Sequence, residues 1–92
     1  MDTEFTKAVF HVRLLAHLKS GEVEDLGLFT FERPVEEYDT LNEAAALQVL
    51  KGLPEVGYRI VEGGLLEVAG SVIPISDLRR LETHIVAKAK VP

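Results

Sequence analysis

The sequence predicts an α+β fold with the element order β-β-α-β-β-α. We expect two hairpins to form an antiparallel sheet of four to five strands, with two helices packed mainly on one face. Three observations predict this fold: strict alternation over residues 7–19, glycine turns within both strand-rich segments, and helix-start signals at Thr40 and Ser76. Since 92 residues enclose one core but not two, we expect a single domain spanning residues 1–92.

The first hairpin is predicted by side-chain alternation. The even-numbered residues of 8–18 are all apolar, whereas most odd-numbered residues of 7–19 are basic. A two-residue Ser20-Gly21 turn follows, so paired residue numbers sum to 41. This register places Phe10 opposite Phe31 and His17 opposite Glu24, and it also pairs Leu18 with Val23.

A helix is predicted over residues 41–51. Pro34 ends the hairpin because it lacks the N–H that a strand ladder needs. Thr40 and Glu43 have the spacing of a capping box at a helix start. Gly52 follows the last helical turn and favours a helix end there.

The second hairpin is predicted around Glu62-Gly63-Gly64. With this three-residue loop, paired numbers sum to 126, so Ile60 faces Leu66, Arg59 faces Glu67 and Tyr58 faces Val68. Gly64 is expected in the left-handed conformation, and the returning strand is expected to continue through Gly70 to Ile73.

The last helix is expected to start at Ser76-Asp77. Ser76 is a suitable N-cap, and Asp77 favours the positive end of the helix dipole. Leu78, Leu81 and Ile85 recur at helical spacing.

The charge is concentrated in one segment. The net charge is −5, and residues 22–43 hold eight of the fifteen carboxylates but only one basic residue, Arg33. This balance disfavours non-specific nucleic-acid binding, which needs clustered Lys and Arg. The basic side chains of residues 7–19 form a row on one side of their strand, and Glu22 and Glu24 are expected to neutralise part of it. Nucleic-acid binding through this row is therefore the least favoured of the three functions considered.

A cytoplasmic location is predicted from composition. The chain has no cysteine, as is typical of proteins from reducing compartments. Residues 1–4 lack the basic start and apolar run of a secretory signal, and no apolar run approaches the ~20 residues of a membrane span.

Residues suited to catalysis or metal binding are few. His11 and His17 lie about 20 Å apart on an extended strand, too far to share a metal ion. His84 fits a helix surface, and Ser71 lacks the Gly-x-Ser-x-Gly setting of a hydrolase nucleophile. Gly63-Gly64 precedes neither a helix nor a Lys-Ser/Thr pair, so it does not indicate a phosphate site. We therefore predict no enzymatic activity, no cofactor and no metal.

The outer side of the predicted sheet carries an unexpected number of apolar residues. A soluble monomer rarely leaves a contiguous apolar patch exposed, so this side is expected to bind a second copy or another protein. The alternative is that the two helices flank the sheet on opposite sides, or that the sheet curls enough to bury both of its own faces. The apolar residues are Val9, Leu15, Leu26, Leu28, Val61 and Leu65.

The sequence therefore favours a small protein-protein interaction module, such as an inhibitor, immunity protein, adaptor or phage-type modulator. We expect a homodimer with an acidic surface for a basic partner. The alternative is a small-molecule-binding domain or minor enzyme, with a pocket between sheet and helices near Tyr58 and Arg59. The expected partner-binding residues are Leu15, Leu26 and Leu28 for apolar contact and Glu36, Glu37 and Asp39 for electrostatic steering.

Overall fold

The structure is a computed structural model, and it describes residues 4–53, 59–61, 64–68 and 70–92. Strands dominate these ranges, with one α-helix and two short 3₁₀ turns. In chain order the elements are β1 (Lys7–Leu18), β2 (Val23–Pro34), a 3₁₀ turn (Val35–Glu37), α1 (Glu43–Lys51), β3 (Arg59–Val61), β4 (Leu65–Val68), β5 (Ser71–Pro74), a second 3₁₀ turn (Ile75–Asp77) and β6 (Leu78–Val91).

The strands form two antiparallel sheets instead of one. Sheet A has the order β2-β1-β6, and sheet B has the order β3-β4-β5. The expected single sheet of four to five strands with two packed helices is therefore wrong. Within the described ranges the protein is mostly β, and α1 is its one α-helix.

The expected last helix is a strand. Residues 78–91 form β6, which pairs antiparallel with β1 along almost its whole length. Leu81, Thr83 and Ile85 alternate inward, so the segment carries a strand pattern as well as helical spacing. Thr83 is buried, while Leu81 and Ile85 pack against the core. Packing beside β1 decides between the two patterns, since β propensity depends strongly on such context.

Both predicted helix caps differ from the structure. Helix α1 is capped by Asn42, whose Oδ1 accepts the Ala45 N–H at 2.8 Å, and not by Thr40. Glu43 does not complete a capping box, because its carboxylate accepts the backbone N–H of Ile85 on β6 at 3.0 Å. Ser76 lies in the second 3₁₀ turn, which has no side-chain cap.

The predicted register of the first hairpin is confirmed over most of its length. Residues 7–14 pair with residues 27–34, and their paired numbers sum to 41. From Leu15 onward the sum falls to 40, because a β-bulge adds one residue to β2. The pairings predicted near the turn are therefore wrong: Val23 lies opposite His17 instead of Leu18, and Glu24 lies opposite Ala16 instead of His17.

The bulge is held by Asp25 and Gly27. Gly27 has a φ of 123°, which side-chain-bearing residues rarely adopt, and its N–H donates to Asp25 Oδ1 at 2.9 Å. Asp25 Oδ2 in turn accepts from Arg13 Nη1 at 2.6 Å, which joins the bulge to β1. Leu26, the additional residue, is only 6 % exposed and belongs to the core.

The second hairpin follows its predicted register where it is described. Ile60 pairs with Leu66 and Arg59 with Glu67, and Gly64 has a φ of 75° as expected. The predicted pairing of Tyr58 with Val68 lies outside the described residues. The returning strand does not continue through Gly70, which has a φ of 88° and lies in the turn that leads into β5.

The core lies against one face of sheet A. The even-numbered residues of 8–16 on β1 are fully buried, and the Phe10 and Phe31 rings stack with their centroids 5.5 Å apart. Helix α1 and sheet B contribute to the same cluster, with Ala46, Leu50, Leu66, Val68 and Ile73.

The molecule is elongated and thin. Its principal extents are 56 × 24 × 16 Å, and its radius of gyration is 15.2 Å. A compact chain of this length has a radius of gyration of about 12 Å. This shape follows from long strands that are covered on one face only by the described elements.

Because Gly27 forms the bulge in a conformation that other residues rarely adopt, we expect its substitution to destabilise the protein more than substitution of Gly52. We expect Gly27→Ala to lower the free energy of unfolding by about 1–3 kcal/mol, because an L-residue at this φ is strained. Gly52→Ala is the matched control, since Gly52 has a φ of −91° that alanine adopts freely. Urea unfolding measures both variants, and equal effects would contradict the role of Gly27 in the bulge.

Candidate interaction surface

The outer face of sheet A is the side that carries the odd-numbered residues of β1. Residues paired across an antiparallel ladder share a face, so the register assigns its members. No described element outside the sheet packs its core residues on this side. The outer face comprises Val9, His11, Arg13, Leu15 and His17 of β1, Val23, Asp25, Leu28, Thr30 and Glu32 of β2, and Arg80, Glu82, His84, Ala87 and Ala89 of β6.

Apolar side chains are distributed over this face. Leu28 and Val23 are 50 % and 52 % exposed, while Val9 and Leu15 on the central strand are half-buried. Val23 was missed by the sequence reasoning, which paired it with Leu18 on the inner side. The bulge moves Val23 to the outer face.

Leu26 does not belong to the outer face. The sequence places Leu26 there opposite Leu15, but the structure pairs Leu15 with Asp25 and buries Leu26 in the core. Leu15 and Leu28 do lie on the outer face. Val61 and Leu65 were expected on the same surface, but they pair with each other in the separate sheet B.

Glu82 forms the centre of a charged cluster at one end of the outer face. His17 Nε2 donates to Glu82 Oε1 at 2.6 Å, since a carboxylate oxygen only accepts. His84 Nε2 lies 3.4 Å from the same oxygen, and Arg80 Nη1 lies 3.7 Å from Oε2. His17 was predicted to lie opposite Glu24, and Glu82 was not expected near it because the segment that starts at Ser76-Asp77 was predicted to be a helix.

The pKa of Glu82 is lowered from its ordinary value. The hydrogen bond from His17 is the largest cause, and Arg80 and His84 lower the pKa further, while desolvation opposes them. Glu82 therefore remains ionised to lower pH than an ordinary glutamate. The Glu82 carboxylate is therefore already contacted by three nitrogen-bearing side chains of its own chain.

Further polar contacts cross the outer face. His11 Nδ1 and Thr30 Oγ1 share a hydrogen bond of 2.9 Å, and Lys7 Nζ lies 3.6 Å from Glu32 Oε2. Together with the Arg13–Asp25 contact, these pairs connect β1 to β2. The basic row predicted on β1 is thus partly neutralised, although by Asp25, Glu32 and Glu82.

The three acidic residues expected to steer a partner differ in their surroundings. Glu37 accepts from Arg33 Nη2 at 2.9 Å and from Arg33 Nε at 3.1 Å, so it is held in an ion pair within the chain. Glu36 and Asp39 are exposed. Within the part of the chain that the structure describes, neither has a hydrogen-bond or ion-pair partner.

A surface groove lies at the Lys7 end of β1, away from the small-molecule pocket that the sequence predicts near Tyr58 and Arg59. It is shallow and open, has a volume of about 340 Å³, and is lined by Thr6, Lys7, Glu32, Arg33 and Pro34. The expected pocket falls on Tyr58 and on the Arg59 side chain, which are outside what the structure describes.

Comparisons with known proteins found no matching family model, no matching curated protein and no matching solved structure. Among the described residues, no group of three or more His, Asp or Glu side chains is arranged to hold a metal ion. No helix in the described ranges is long and apolar enough to cross a membrane.

The Glu82 cluster predicts a pH effect with a definite sign. Because folding lowers the Glu82 pKa, the stabilisation from ionised Glu82 is complete above the pKa of an unfolded glutamate. It is lost as the pH falls through the lowered value of the folded protein. In His17→Phe, which keeps a planar ring without the donor, we expect the Glu82 pKa to rise towards its ordinary value in an NMR titration.

Glu24→Gln is the control for this titration. Glu24 is exposed and pairs with Ala16, so its neutralisation should leave the Glu82 titration unchanged. A Glu82 pKa that is insensitive to His17→Phe would contradict the assignment of His17 as its main partner.

Proposed function

We propose that the protein is a non-enzymatic protein-binding module that forms a two-fold homodimer through the outer face of sheet A. One observation carries the proposal: two half-exposed apolar side chains, Val23 and Leu28, lie on a sheet face that no described element covers. Packing two such faces against each other is the usual way to bury both, as in β-sandwiches.

The size of the face supports this proposal. Three strands spaced about 4.8 Å apart, with 12–14 residues rising about 3.3 Å each, give a face of roughly 14 × 40 Å. This area of roughly 600 Å² per copy meets the lower end of the range for specific interfaces. The accessible surface of the chain, 5814 Å², also exceeds the roughly 5,300 Å² expected for a compact monomer of its mass.

The polar groups of the face are also compatible with a dimer. Arg13 and His17 already contact Asp25 and Glu82 within one copy, so their burial leaves few unpaired charges. Apolar side chains and paired charged side chains are therefore interspersed on this face.

The exposed carboxylates Glu36 and Asp39 support a second part of the proposal, an acidic surface for a basic protein. Both lie in the segment between β2 and α1, outside the outer face. Charge complementarity at such positions mainly accelerates and selects the encounter. A cytoplasmic location stays a prediction from composition.

Leu28→Lys tests the dimer. A two-fold interface contains each residue twice, so losing Leu28 burial at ~1.5 kcal/mol per copy weakens dimerisation by about 3 kcal/mol, or more than 100-fold in Kd. We expect a folded monomer by sedimentation, with the circular dichroism of the wild type.

Val72→Lys is the matched control, since Val72 is 55 % exposed but lies on β5 of sheet B. This variant should remain dimeric. A wild-type protein that sediments as a monomer at high micromolar concentration would contradict the proposal.

A further inference from the structure

The two edges of sheet A are unequal. The sheet order leaves β2 and β6 at the edges, each hydrogen-bonded to β1 on one side. A free strand edge presents unpaired N–H and C=O groups that accept another strand, and proteins usually blunt such edges. The two edges of sheet A differ in whether this protection is present.

The middle of the β6 edge is covered by α1 and Tyr38. Glu43 accepts the backbone N–H of Ile85 through its carboxylate, and its own carbonyl oxygen accepts from Thr83 Oγ1 at 2.6 Å. Near the end of the strand, Lys88 Nζ donates to the Tyr38 carbonyl oxygen at 2.8 Å and lies over the Tyr38 ring. An incoming strand would have to displace these contacts.

The edge of β2 has no comparable cover among the described residues. The bulge occupies the Gly27 N–H, so the regular part of the strand runs over residues 28–33. Leu28 is half-exposed on the outer side of this stretch, and Phe29 is half-buried on the inner side. An added strand would find apolar contacts on both faces of the sheet.

Charge identifies the kind of strand that fits. Residues 22–39 contain seven carboxylates and one basic residue, Arg33. Asp25, Glu32 and Glu37 pair with bases of the same chain, and the other four have no ion-pair partner among the described residues. Opposite charges across adjacent strands are favourable, and like charges are unfavourable. The β2 edge therefore favours a strand that carries Lys or Arg.

A second copy of the same edge is disfavoured by the same charges. If two β2 strands paired antiparallel about Thr30, paired numbers would sum to 60. Each copy would then bring the acidic residues of segment 22–39 close to those of the other, against one basic residue per copy, Arg33.

We propose that the free edge of β2 binds an extended basic segment of another protein as a fourth strand of sheet A. Main-chain hydrogen bonds along residues 28–33 provide the affinity, and the surrounding carboxylates select for basic side chains. The proposal rests on the proposed role as a protein-binding module, but it does not require the dimer.

A blocked peptide of eight alternating lysines and valines is the probe. We expect it to slow amide hydrogen exchange along residues 28–33 of β2 and to leave β6 unchanged. The same peptide with N-methyl groups on all backbone nitrogens keeps the side chains and the charge but has no backbone donor on either edge, so it should not protect β2. A peptide with glutamate in place of lysine should not bind.

Glu32→Lys should weaken binding of the basic peptide roughly fivefold, because it replaces an attraction by a repulsion. Asp77→Lys is the matched control, with the same charge change in the second 3₁₀ turn, and should leave the affinity nearly unchanged. Sedimentation of the same samples reports the dimer separately, so a monomeric but peptide-binding protein would reject only the proposed dimer.

Three outcomes would overturn the proposal. The first is the absence of β2 protection at millimolar peptide. The second is equal binding of the N-methylated peptide, which would show attraction by charge alone. The third is concentration-dependent protection of residues 28–33 in the wild type without peptide, which would assign the β2 edge to a second copy of the chain.

Discussion

The structure depends on the complete burial of one side of β1. Its even-numbered side chains from Ala8 to Ala16 have no exposed surface, so the strand needs a covering layer on that side and a neighbour on each edge. The hairpin provides β2 as one neighbour. Residues 78–91 form the second neighbour because they provide a long segment with a β-compatible pattern, and the helical spacing within them does not prevail.

Turns and the pairing of neighbouring strands could be predicted from the sequence. The structure of a segment that depends on contacts with residues far away in the chain could not. The register of residues 7–14 with 27–34 and the positive φ of Gly64 were predicted from the chain itself. So was a helix over residues 41–51, which the structure places at Glu43–Lys51. Residues 78–91 were not predicted to form a strand. Their alanines and Thr83 give little hydrophobic contrast between the two strand faces, whereas Leu78, Leu81 and Ile85 recur at helical spacing. A glycine within a strand is a signal of a bulge, and Gly27 carried that signal.

The bulge explains why the expected interaction surface was only partly correct. One additional residue in β2 reverses the faces on its turn side, which buries Leu26 and exposes Val23. Leu15 and Leu28 both lie on the face that the sequence predicts. Leu28 lies beyond the bulge, where the register with β1 is as predicted, and Leu15 belongs to β1, which has no additional residue there. Glu82 lay beyond prediction, since its contact with His17 exists only when β6 is a strand beside β1.

The position of α1 relates these features to each other. By turning its first residue, Glu43, towards Ile85, the helix covers the core side of sheet A and one of its edges at the same time. The outer face and the edge of β2 are then the surfaces of sheet A without a described cover. Segment 22–39, which contains that open edge, carries seven carboxylates, whereas Arg79, Arg80, Lys88 and Lys90 lie on the covered strand, β6. In the proposed complex, the charge of this edge would favour a strand of opposite charge over a second copy of the chain.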